Sequence, residues 1–189
     1  MIEFALLAAC LQHGIEHDLI RAIAKQESLG EQTAFYINKW ELGQFKNLSL
    51  DDAVLVSSKM VAEGYTVDVG LMGINSRNVK RFGVSIREAF DPCINVNMGE
   101  QILFENINQA KSKGHSGEDA IKVALSLYNT GSETRGFTNG YVDKVWANYS
   151  TTLQYKAQQA DINVPWDVQE HLDPVVREQP AWLSGDGYE

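Results

Sequence analysis

Glu27 is the residue whose surroundings in the sequence carry the most chemistry. It lies near the end of a segment, Asp18 to Leu29, that reads as a helix. At roughly 100° per residue, Leu19, Ile20 and Ile23 form one apolar stripe, with Asp18, Arg21 and Lys25 opposite. Glu27 falls on the apolar side, one turn beyond Ile23. A carboxylate there is expected to be partly desolvated, and in the last turn the helix dipole disfavours added negative charge. Both effects raise a carboxyl pKa, which is what a general acid working near neutral pH needs. The plain alternative is a glutamate reaching into solvent at a frayed helix end.

Two other constellations invite a chemical reading. His13-Gly14-Ile15-Glu16-His17 fits the H-x-x-E-H pattern of inverted zinc peptidases. That pattern works only if one continuous helix projects both rings to one side, whereas Gly14 and a helix start near Asp18 place it in a connection. No metal site is therefore expected. His115 and His171 show no partner spacing and read as surface residues. Cys10 and Cys93 are the only cysteines; in a reducing compartment they would be independent core thiols. No third cysteine or credible histidine pair supports a metal cluster or redox motif, and no cofactor is expected.

The elements that must position these residues are mostly helical. Phe4 to Leu11 is the longest uncharged apolar run, too short to span a bilayer, and reads as part of an amphipathic first helix, about Ile2 to Gln12. The same segment lacks the basic start of a signal peptide. Gly30 suits the end of the Asp18–Leu29 helix. Ser49 opens a helix to about Glu63 in a capping-box-like pattern, and Ser85 to Glu88 opens a short one. Asp91-Pro92 supplies an N-cap and an N1 proline for a helix ending near Gly114. Ser116 caps Gly117 to Asn129, and Asn139-Gly140 leads into a last helix towards Gln159. Gln32 to Asn47 is mixed and uncapped, and Tyr65 to Val69 alternates like a brief strand. The fold expected is mainly α with a small irregular or β insertion.

Charge divides the chain unevenly. Of the net −9, residues 151–189 carry seven acids against two bases, a share of −5. That balance argues against a generic nucleic-acid binder and against adhesion to anionic lipid. It suggests a folded body, 1–150, and an acidic, poorly ordered tail, 151–189, in which Pro165, Pro174, Trp166 and Trp182 stand among acids.

Taken in order, Gln26-Glu27-Ser28, then Gly70-Leu71-Met72, then Tyr128-Asn129 and Tyr141 resemble the catalytic-domain motifs of lytic transglycosylases with a goose-lysozyme-like fold. The resemblance covers about residues 5–149. It is nearest to the specialised enzymes of type IV secretion and conjugation systems, through 63–72, Ile74-Asn75-Ser76-Arg77-Asn78 and Ala89-Phe90-Asp91-Pro92-Cys93.

This resemblance implies a lysozyme-like fold and cleavage of peptidoglycan glycan strands, with Glu27 as the one acid and base. Ser28 would help orient the intermediate, and Gly70, Leu71 and Met72 would line the cleft. Tyr128 would position Glu27, Asn129 would buttress that wall, and Tyr141 would contact saccharide. Each has a plainer alternative: Ser28 as a cap, Met72 as core, the tyrosines as helix packing. The family's usual Gly-Leu-Met-Gln ends here in Gly73, which removes an amide, and Leu127 stands where a small alanine is usual. The resemblance also implies a Cys10–Cys93 disulfide. Closing a loop of about eighty residues would contribute on the order of 4 kcal/mol in the chain-entropy account.

Peptidoglycan is the implied partner, in the periplasm, with secretion-system components as further partners through the tail. Two other functions are compatible with these residues. One is a lysozyme-like muramidase in which Asp68, Glu31 or Glu41 guides a water. The other is a glycan-binding assembly factor whose catalysis is dispensable.

Overall fold

The computed structural model describes residues 4–38 and 44–163. Two compact units divide the chain, 1–104 and 105–189.

The first unit opens with a 3₁₀ helix, Phe4–Cys10, where the sequence suggested an amphipathic helix reaching Gln12. Tertiary ties set the end of this segment. Cys10 is disulfide-bonded to Cys93, with Cα atoms 5.3 Å apart. Asn97 Nδ2 donates to the Cys10 carbonyl at 3.1 Å. Glu100, fully buried, accepts from the backbone N–H groups of Gln12 at 2.6 Å, His13 at 2.9 Å and Ile15 at 3.4 Å. The His13 ring stacks on Phe104 at 4.8 Å. Residues 93, 97, 100 and 104 recur at the three-and-four spacing of one helix face, and that face holds the whole 10–15 connection.

Helix α1 spans His17–Ser28, with Leu19, Ile20 and Ile23 buried as the periodicity requires. Asp18 departs from the expected polar face and is buried too. It sits in the first turn, where free N–H groups and the helix dipole favour a carboxylate. The insertion is a four-stranded antiparallel sheet in the order β2-β1-β3-β4, made of β1 Phe35–Ile37, β2 Gln44–Phe45, β3 Val67–Val69 and β4 Ile74–Asn75.

Burial alternates along β1, β3 and β4, while both residues of β2 are half-buried. Phe35, Ile37, Val67, Val69 and Ile74 are buried, and Phe35 stacks on Phe45 at 4.8 Å. The pairs Tyr36↔Gln44, Tyr36↔Asp68 and Asp68↔Asn75 place a row of polar residues on the other face.

Helix α2, Leu50–Ala62, begins at Ser49, whose hydroxyl accepts the Asp52 N–H. Two short helices follow: α3, Ser76–Arg81, capped by Asn75, which the sequence did not announce, and α4, Ile86–Ala89, opened by the Ser85–Glu88 capping box as the sequence suggested. Helix α5, Pro92–Ser112, starts at Asp91, whose Oδ1 accepts from Cys93 N at 2.9 Å and Ile94 N at 3.0 Å.

In the second unit α6, Gly117–Thr130, ends at Gly131, which adopts φ 65° and returns its N–H to the Leu127 carbonyl. A short α7, Arg135–Thr138, and a long α8, Tyr141–Asn163, follow. The N-cap expected at Ser116 makes no side-chain cap bond. Helix α8 continues past residue 150, so the first part of the acidic tail is helical. Trp166, Trp182, His171 and the prolines of the tail lie outside the described residues, as does Glu41.

Candidate active site

Glu27 is half-buried in the last turn of α1. The chain reverses at once: Leu29 adopts φ 59° and donates its N–H to the Lys25 carbonyl, and Gly30 follows at φ 80°. A leucine in the left-handed region costs about 1 kcal/mol, so the surrounding contacts must impose this sharp exit.

Ser28 is one such contact. Fully buried, it donates its hydroxyl to the Ala24 carbonyl at 3.0 Å and accepts the Gly30 N–H at 3.1 Å. Gln44 is another: its Nε2 donates to the Glu27 carbonyl at 2.6 Å. Sequence reasoning missed Gln44, because a two-residue strand in the uncapped 32–47 stretch carries no periodic signal.

Opposite the carboxylate stands the turn 70–73, which joins β3 to β4. Gly70 at φ 76° and Gly73 at φ 58° occupy the left-handed region, and the Gly73 N–H closes the turn on the Gly70 carbonyl at 3.2 Å. The turn is held by Asn95 of α5, fully buried, which sequence reasoning also missed. Its Oδ1 accepts the Met72 N–H at 2.7 Å, and its Nδ2 donates to the carbonyls of Val69 at 3.0 Å and Ala89 at 2.7 Å.

Leu71 and Met72 are both fully buried, and Met72 packs onto Gly99, where a Cβ would lie 2.8 Å from its side chain. At Gly73 an added Cβ would lie 2.7 Å from Glu27 Oε2. Position 73 is therefore backbone pressed against the Glu27 carboxylate. The first unit thus brings Glu27, Ser28 and the 70–73 turn together.

Asp68 lies on the sheet's polar face. Its Oδ1 accepts from Asn75 Nδ2 at 2.5 Å and its Oδ2 from Asn38 Nδ2 at 3.0 Å. Burial pushes this carboxyl above its ordinary value, and the two amides only partly offset that.

In the second unit Tyr128 is half-buried, Asn129 is exposed and Tyr141 is buried at the start of α8. Asn139 links the last two: its Nδ2 donates to Asn129 Oδ1 at 2.9 Å, and its Oδ1 accepts the Tyr141 N–H at 3.0 Å. Leu127 is interior, packed with Ala110, Ala120 and Val123, and the two alanines leave room for its bulk.

The H-x-x-E-H pattern is split by the fold. His17 begins α1, while His13 precedes the left-handed Gly14 and stacks on Phe104. Among the described residues, no group of three or more His, Cys, Asp and Glu side chains is arranged to hold a metal. His115 has the partner its spacing did not suggest, Asp119 one turn on, with Nδ1 and Oδ2 2.5 Å apart. Among the described residues no helix is long and apolar enough to cross a membrane.

A helical domain with a small sheet insertion and a half-buried glutamate at a helix end has the makings of a glycan-strand-cleaving enzyme. The Transglycosylase SLT domain family matches residues 5–148, and the chain belongs to that family. It is a peptidoglycan lytic transglycosylase with a lysozyme-like fold. The chain is 29% identical over 188 residues to the type IV secretion system protein virB1 of Brucella suis, covering 96% of this chain and 79% of that protein. It is 30% identical over 160 residues to the virB1 protein of Brucella abortus, covering 82% and 67% respectively. Protein virB1 of Agrobacterium fabrum is 33% identical over 147 residues, covering 76% and 58%. No solved structure matches the chain at a significant level.

Proposed function

We propose that the chain cleaves the MurNAc-β-1,4-GlcNAc bond of peptidoglycan and leaves 1,6-anhydro-MurNAc ends, opening the wall locally for a type IV secretion or conjugation apparatus. Glu27 protonates the departing glycosidic oxygen while the N-acetyl group of the same MurNAc assists departure. The resulting carboxylate then takes the proton of the sugar's 6-hydroxyl as its oxygen bonds to C1. The proton lost in the first step is regained in the second, and no water is consumed.

The observation that carries this reading is the packing of the Glu27 carboxylate against Gly73, at the end of a helix whose last turn is tied from outside. A positioned acid needs such confinement. Ser28 serves the geometry of that helix end, and Gly70, Leu71 and Met72 serve the wall facing the acid. By resemblance, Tyr128, Asn129 and Tyr141 contribute to saccharide binding. The periplasm is the site of action, and components of the secretion apparatus are further partners.

The muramidase alternative would need a second carboxylate free to guide water. Both oxygens of Asp68 are already engaged by amides, which speaks against that role for it. Digestion of purified sacculi with the wild type and Glu27→Gln, followed by mass spectrometry of the sugar ends, tests the proposal. Anhydro ends from the wild type and none from the variant are expected. Reducing ends would establish the muramidase. Full restoration of transfer to a deletion strain by Glu27→Ala would establish the non-catalytic assembly factor.

A further inference from the structure

The last carbonyls of a helix have no partner within it and must find one elsewhere. At the end of α1, Lys25 receives the Leu29 N–H at 3.2 Å and Ser28 receives the Glu31 N–H at 3.2 Å. Glu27 lies between them, and its carbonyl is met by a side chain, the Gln44 amide at 2.6 Å. Gln44 is held in place by its strand: Tyr36↔Gln44 and Phe35↔Phe45 pair β2 to β1, and the Phe45 ring stacks on the buried Phe35 at 4.8 Å. The insertion sheet therefore grips the backbone of the same residue whose carboxylate rests against Gly73.

Resting on the proposed role of Glu27, we infer that Gln44 is a positioning residue for that acid. Rotation of the last helical turn swings the Glu27 carboxylate, and the Gln44 amide opposes that rotation from the carbonyl side. Its loss leaves the glycan-binding surface in place and misaligns the acid. The effect thus falls on kcat and spares KM. A displacement near 1 Å at the reacting groups corresponds to a loss of roughly 10- to 100-fold in kcat.

Two variants test this, with anhydro-ended fragments from sacculi counted against time and substrate concentration. Gln44→Met keeps the length of the side chain and removes the donor. Its kcat is expected to fall roughly 10- to 100-fold, with apparent KM within about threefold of wild type, while the unpaired Glu27 carbonyl lowers Tm by only a few degrees. Gln44→Glu presents an acceptor to an acceptor at neutral pH. Once protonated, the introduced carboxyl donates to the Glu27 carbonyl, so its activity relative to Gln44→Met is expected to recover on acidification. A scaffolding role alone would not produce that divergence of pH profiles.

A wild-type kcat in Gln44→Met, or parallel pH profiles for the two variants, overturns the inference while leaving the role of Glu27 intact. If Gln44→Met does not fold, the Gln44→Glu profile against wild type decides. Absence of anhydro ends from the wild type overturns the assignment of Glu27 and this inference together.

Discussion

Gly73 touches Glu27 through the space a side chain would fill: a Cβ at position 73 would lie 2.7 Å from Oε2 and 3.2 Å from Cδ of the glutamate. The atoms it would meet belong to the end of a flexible side chain, so the carboxylate, not the fold, would give way. Gly73→Ala is accordingly expected to lose activity roughly 10- to 100-fold. Destabilisation should stay near the cost of an alanine in the left-handed region, about 1 kcal/mol. Digestion rates and urea denaturation on the same preparation check both halves. Gly73→Gln should behave like Gly73→Ala, and a gain in activity would count against this reading.

Asn95 is a second position where substitution should be costly, here through stability. Asn95→Asp keeps the shape and the acceptor for Met72 N–H but turns both donated bonds, to Val69 and Ala89, into oxygen–oxygen contacts inside the protein. A loss of about 3 kcal/mol is expected, measured as a lower urea midpoint at unchanged slope. A midpoint within experimental error of wild type would contradict the geometry.

The Cys10–Cys93 bond closes a loop with a sequence separation of 83. Reduction, or replacement of both cysteines by serine, should cost on the order of 4 kcal/mol and lower Tm by on the order of 10 °C. Glu100 and Asn97 hold the same connection, so Glu100→Ala combined with the double serine variant should fall short of or exceed the summed single effects. Thermal melts of the four proteins form the cycle, and strict additivity would show that these ties act independently.

Asp68 gives a pH signature. Its folded pKa is raised above 3.8 by burial, so the folded chain holds a proton there at higher pH than the unfolded chain does. The contribution of this group to stability therefore grows as pH falls from neutral through the raised value, and levels off below the unfolded one. Asp68→Asn lacks the titration. The wild type should gain stability relative to the variant between about pH 7 and pH 4, measured by urea denaturation at each pH. A difference that is constant across that range would contradict the shift.

Much of the fold was legible from local signals. The three-and-four spacing of Leu19, Ile20 and Ile23 defined α1, and Ser49, Ser85 and Asp91 marked helix starts that the structure retains. The same periodicity placed Glu27 on the apolar side, one turn beyond Ile23, because helix geometry alone fixes which residues share a side. Asp18 shows the limit of that argument: the period assigned it to the polar side, and the packed fold buries it in the first turn of α1.

The details that define the site depended on residues far apart in the chain. Gln44 reaches Glu27 across 17 positions, Asn95 reaches Met72 across 23, and Glu100 reaches Gln12 across 88. No local pattern encodes such pairs, since each hydrogen bond exists only after packed elements bring a donor and acceptor within about 3 Å of each other. The sequence by itself determined the long helices, the place of Glu27 at a helix end and the ordered motifs that resemble a transglycosylase. Only the tertiary structure decided that Gly73 would be the wall against that acid and that a two-residue strand would hold its backbone.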